Sequence, residues 1–96
     1  MRKDVERMRD ISEAISKIEK YAIQGQAKFL ANELIQGWML LQLQIIGEAA
    51  RSMSVQTREQ YPQINWQDII DFRNLLVHEY FRVDLQVIWQ IIEQEI

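Results

Sequence analysis

The stretch "RNLLVHEY", residues 73–80, concentrates the reactive side chains of this sequence and contains its one histidine, His78. Imidazole titrates near neutrality and can move protons. Guanidinium stays charged and can clamp a phosphate through two hydrogen bonds. Together Arg73 and His78 would suit RNA cleavage in which the 2'-hydroxyl attacks its neighbouring phosphate, a reaction that requires no metal. On an ideal helix, at about 100° per residue, Asn74 and His78 share one face and Arg73 and Tyr80 another. Arg73 and His78 differ by roughly 140° on that wheel, so they do not stack, yet both could border one groove because an arginine side chain is long. A packing reading uses the same residues: Asn74 and His78 pair as satisfied polar groups, and Arg73 forms a salt bridge. Spacing alone does not separate the two.

Other chemistries are poorly supplied. There is no cysteine, so disulfides, a thiolate nucleophile and a cysteine zinc site are excluded. One histidine excludes a histidine cluster within one chain. Glu48, Asp71 and Asp84 show no ligand spacing, and neither metal nor cofactor is expected. The three glycines form no phosphate-binding loop. The serines at 12, 16, 52 and 54 have no glycine elbow, which argues against a serine triad.

The formal charge is -3 and the pI about 5.1. Binding nucleic acid would therefore need a local basic site on an acidic molecule. Arg2, Lys3, Arg7 and Arg9 interleave with Asp4, Glu6, Asp10 and Glu13, as on a solvated helix face. The charged start "MRKDVERMRD" is neither a signal peptide nor a lipidation signal. "LIQGWMLLQLQIIGEAA" is too short and too polar for a clean membrane span. A cytoplasmic protein with no membrane contact is expected.

The elements that must position the motif are helical. Val5, Met8, Ile11, Ile15, Ile18 and Ala22 recur every three or four residues and predict a helix over 3–22, ended at Gly25. A long second helix is predicted from about Lys28 to Met53. It is apolar nearly all round, so one side is expected to pack within the subunit and the other on a second subunit. Gly37 and Gly47 would permit close helix approach. Residues 54–65 read as a polar connection holding Pro62, the one proline. Asn65 is a candidate N-cap, with Asp68 in the first turn of a third helix running from Trp66 to about Tyr80. Asp84 caps a last helix that packs Leu85, Ile88, Trp89 and Ile92. No strand pattern or internal repeat is visible. The expected architecture is one all-α domain over 1–96, an up-and-down bundle of about four helices, forming a homodimer.

"RNLLVHEY" matches the arginine, four residues, histidine, one residue, tyrosine motif of HepT toxins in the HEPN superfamily. "IIGEAARSM" at 45–53 and "YPQINWQDIIDFRNLLVHEYFRVDLQVIW" at 61–89 extend the resemblance in order and spacing, as does the opening helix. The resemblance implies a HEPN-like helical bundle that dimerises with its motifs facing a shared cleft. It implies a metal-independent endoribonuclease, the toxin of a type VII HEPN/MNT toxin-antitoxin pair, acting on tRNA or mRNA. Arg73 and His78 would be catalytic and Asn74 supporting. Tyr80 would be the residue that an MntA-like nucleotidyltransferase antitoxin silences by AMPylation. Glu48 falls on a recurrent family position and receives no catalytic step. Arg82, four residues past His78, would join the cationic cleft if the helix reaches it. The last predicted helix runs to Ile96, where family members are expected to continue.

Two other functions remain open at this level. One is a catalytically silent HEPN module that binds a nucleotidyltransferase partner. The other is a purely structural helical dimer, in which Arg73 and His78 matter only for stability.

Overall fold

The computed structural model describes residues 4–78 and 84–95, with the last two residues of the fifth and of the sixth helix as backbone only. Six helices lie among them: α1 (Asp4–Ala22), α2 (Gln26–Ala31), α3 (Glu33–Arg51), α4 (Val55–Gln60), α5 (Trp66–His78) and α6 (Leu85–Glu95). The described residues contain no strand, so the all-α expectation holds. Four of the helices are long and two are short, and both short ones refine the four-helix expectation.

The predicted long second helix is broken at Asn32. Its backbone is extended there (φ -127°, ψ 107°), and its Oδ1 accepts hydrogen bonds from the backbone N–H of Leu34 (3.0 Å) and Ile35 (3.1 Å). Asparagine is a weak helix former and a strong N-cap, so the chain restarts as α3. Gln36 Nε2 then donates to the carbonyls of Phe29 (3.0 Å) and Leu30 (3.1 Å) at the end of α2, the former also accepting the Asn32 N–H at 3.4 Å. Gly25 precedes α2 at φ 92°, a left-handed conformation that glycine adopts without strain.

The 54–65 connection contains α4. Ser54 caps it by accepting from the Thr57 N–H at 3.2 Å. The helix buries no side chain, so apolar periodicity gave no sign of it. Arg58 carries its cost of ordering by closing α3: Nη2 donates to the carbonyls of Ala50 (2.9 Å) and Arg51 (2.7 Å). Asp4 ties the start of α1 to the same corner, accepting from the Ser54 N–H (3.1 Å) and from the hydroxyls of Ser54 and Thr57.

The two caps expected downstream are present. Asn65 Oδ1 accepts from the Asp68 N–H at 3.4 Å, a long contact, and Asn65 Nδ2 donates to Asp68 Oδ2 at 2.7 Å. Asp84 Oδ1 accepts from the Gln86 N–H at 2.8 Å.

Helix α3 is the centre, packed on both α1 and α5. Trp38 Nε1 donates to the Lys17 carbonyl at 3.4 Å, while Asp4 meets Ser54 at the other end, so α1 and α3 run antiparallel. Ala50 and Met53 pack with Trp66 and Ile70, whereas Gly47 meets Arg73. Helix α5 therefore runs antiparallel to α3. The main core joins Ile18, Phe29, Met39, Leu43 and Leu76 to Ile88, Trp89 and Ile92 of α6. The apolar circumference of α3 resolves into a broad buried arc and a narrow exposed stripe. Leu34 is 86% exposed and Leu41 48%, with Trp38 between them. Among the described residues no helix is long and apolar enough to cross a membrane.

Candidate functional site

The motif helix is set on α3 by a missing side chain. A Cβ on Gly47 would fall 2.1 Å from Arg73 Cβ and 2.6 Å from Arg73 Cγ. Only glycine lets α3 and α5 cross this closely, and the arginine stem lies directly over that gap. Gly47 thus meets its expected role. Gly37 does not do so among the described residues, where a Cβ would meet nothing within 4 Å.

From Gly47 the Arg73 side chain runs past Glu48. Its Nη2 lies 3.1 Å from Glu48 Oε2. The contact is charge to charge and not a directed hydrogen bond, because Oε2 accepts none from the described residues. Arg73 Nη1 donates to Asn74 Oδ1 at 3.1 Å. Arg73 Nε is buried and has no partner among the described residues. The arginine side chain stays 23% exposed. A planar guanidinium held on two sides keeps a fixed orientation, and a further anion can approach it only from its exposed part.

The other oxygen of Glu48 is also engaged. Arg51 Nη2 donates to Oε1 at 3.2 Å, across one turn of α3. Two guanidiniums therefore share one carboxylate, and the trio carries one net positive charge. That is a local basic site on an acidic chain, as nucleic-acid binding would need.

The packing reading expected a salt bridge at Arg73, and Glu48 supplies one. It also expected Asn74 to pair with His78; Asn74 Oδ1 accepts from Arg73, and the pairing with His78 falls outside the described side chains. The backbone of α5 carries His78 one turn beyond Asn74, as its last residue. The His78 side chain lies outside the described residues, as do Tyr80 and Arg82, so the expected Arg73–Tyr80 face lies outside them too. Among the described residues no three of His, Cys, Asp and Glu gather where a metal ion could be held. Sequence reasoning left Glu48 without a role and passed over Arg51. The available signal was the Glu48–Arg51 spacing, since residues three apart on a helix are neighbours.

An all-helical bundle of this kind is consistent with the HEPN-type helical fold. Residues 11–96 match the family described as ribonuclease HepT-like, and the chain belongs to that family. It is 33% identical over 69 residues to a provisionally assigned RNase of Methanocaldococcus jannaschii, covering 72% of this chain and 63% of that one. A gamma-glutamylcyclotransferase of the same organism, also provisionally assigned as an RNase, is 33% identical over 98 residues, covering 100% of this chain and 44% of its own. The probable ribonuclease HepT of Thermococcus cleftensis is 32% identical over 90 residues, covering 93% and 82%. This chain thus spans less than two thirds of the first two relatives. No solved structure matches it.

Proposed function

We propose that this chain is an endoribonuclease that cleaves RNA by transesterification without a metal ion, as the toxin of a HEPN/MNT pair. His78 takes the proton from the 2'-hydroxyl or gives one to the leaving 5'-oxygen. Arg73 stabilises the charge that builds on the phosphate in the transition state. Asn74 holds Arg73 Nη1, and Glu48 holds the other arm, so the guanidinium need not be ordered at the moment of reaction. The observation that carries this reading is the Arg73 seat over Gly47, five residues before His78 on the same helix. The close crossing fixes the arginine stem, and beyond it the guanidinium is held on two sides yet partly open, which supports a role beyond packing.

The exposed stripe of Leu34, Trp38 and Leu41 supports a homodimer. Two copies would bring two such arginines to one cleft and so concentrate positive charge on an acidic protein. An MntA-like nucleotidyltransferase would silence the pair by AMPylation of Tyr80.

The test is incubation of the purified protein with total RNA in chelator. Cleavage leaving 2',3'-cyclic phosphate ends is expected, with Arg73→Ala and His78→Ala each lowering the rate about 10²-fold or more. Folded variants that cleave at full rate would sink the mechanism. So would activity that vanishes in chelator and returns with magnesium. No cleavage by any form, with retained binding to a nucleotidyltransferase, would leave the silent HEPN module as the better account.

A further inference from the structure

Arg51 is the cation that the proposed reaction does not use. Its side chain is 56% exposed, and its partner Glu48 is an i,i+3 neighbour. Such an exposed pair is weak, too weak to hold Arg51 against a competing anion. Arg73 is held differently. Its stem is fixed over Gly47, its Nη1 is bound by Asn74, and its Nη2 faces the same carboxylate. Of the two guanidiniums on Glu48, Arg51 is the one free to move.

The register of the antiparallel helices sets the order of the groups along their seam. Gly47 marks the level of Arg73. Arg51 lies four residues further along α3, about 6 Å at the helical rise. His78 lies five residues from Arg73 along α5, about 7.5 Å in the opposite sense. The sequence along the seam is therefore His78, Arg73, Arg51. One step along it is comparable to the spacing of successive phosphates on a single strand.

We infer that Arg51 binds the RNA phosphate next to the scissile one, on the side of Arg73 away from His78. Arg51 leaves Glu48 Oε1 for that phosphate, while Glu48 stays with Arg73 and keeps the two guanidiniums apart. The inference rests on the ribonuclease reading of the same seam and adds a substrate subsite to it.

The test is RNA binding, measured in the full chain carrying His78→Ala so that cleavage does not interfere. Fluorescence anisotropy of a short labelled single-stranded RNA is followed at several salt concentrations. Each phosphate contact on a single strand contributes about 0.7 to the slope of log affinity against log salt. Arg51→Ala is expected to lower that slope by about 0.7 and to weaken binding several-fold, and Arg51→Lys is expected to keep the slope. Lys28→Ala, at an exposed position of α2, is the control and should change neither. Thermal melts check that each variant folds, and Arg51→Gln, which also removes the charge, stands in if Arg51→Ala does not. A lower slope in Arg73→Ala with none in Arg51→Ala overturns the subsite and leaves the ribonuclease reading standing. Unchanged slopes in both overturn the two together. An equal drop in Lys28→Ala marks diffuse attraction and overturns the subsite.

Discussion

Replacing Gly47 by alanine should cost activity far out of proportion to stability. The new Cβ would sit 2.1 Å from Arg73 Cβ, and that atom is bonded to the α5 backbone, so no side-chain rotation relieves the clash. Carbons in contact lie about 3.5 Å apart, so α5 must retreat by about 1.4 Å. Overpacking of this kind costs about 1–3 kcal/mol. Exchanging glycine for alanine inside a helix returns about 1 kcal/mol. The net loss is therefore about 1 kcal/mol, and at most about 2. The site fares worse. The same retreat carries Arg73 from 3.1 Å to beyond ion-pair reach of Glu48. A misplacement of about 1 Å near reacting groups can cost about 10²-fold in rate. Urea unfolding and RNA cleavage on one preparation test both halves. A Gly47→Ala protein as stable as the parent and cleaving at its rate would refute the glycine seat.

Three further outcomes are expected. The hydroxyls of Ser54 and then Thr57, with the Ser54 N–H, hold the Asp4 carboxyl below its ordinary value of 3.8. A depressed folded-state pKa stabilises above the unfolded value and loses that contribution as pH falls through the folded one. The stability advantage of the parent over Asp4→Asn in urea should thus be present at neutral pH and shrink below the ordinary aspartate value; an unchanged advantage in strong acid would count against the cap. Leu34→Glu combined with Leu41→Glu should leave the folded chain intact but halve its mass in sedimentation at micromolar concentration, whereas a parent that is already monomeric would end the shared-cleft proposal. With an MntA-like partner, ATP and magnesium, intact mass should rise by one or more AMP groups in the parent and not in Tyr80→Phe, and cleavage should fall; an equal rise in both would place the acceptor elsewhere.

The residue order alone determined the helical class and most helix starts. Asn65 and Asp84 sit where local side-chain to backbone bonds favour a cap, and those bonds need no tertiary partner. The break at Asn32 obeys the same local rule, but the apolar run on either side masked it. Helix α4 left no apolar trace because it buries nothing, and it persists through Ser54, Asp4 and Arg58, which only the fold brings to one corner. The motif residues Arg73, Asn74 and His78 were evident from type and spacing. Their company was not. Glu48 is 25 positions from Arg73, and nothing in a one-dimensional pattern states which face of α3 meets α5. That was decided by the crossing at Gly47, where a hydrogen in place of a methyl sets the helix separation. It seats the arginine stem and delivers its guanidinium to a carboxylate already shared with Arg51. Similarly, an all-round apolar α3 announced burial on every side, whereas packing on α1 and α5 covered most of the circumference and left Leu34, Trp38 and Leu41 in the open. Local chemistry is written along the chain; the distance between two helices depends on side chains from both, and so exists only once they have packed.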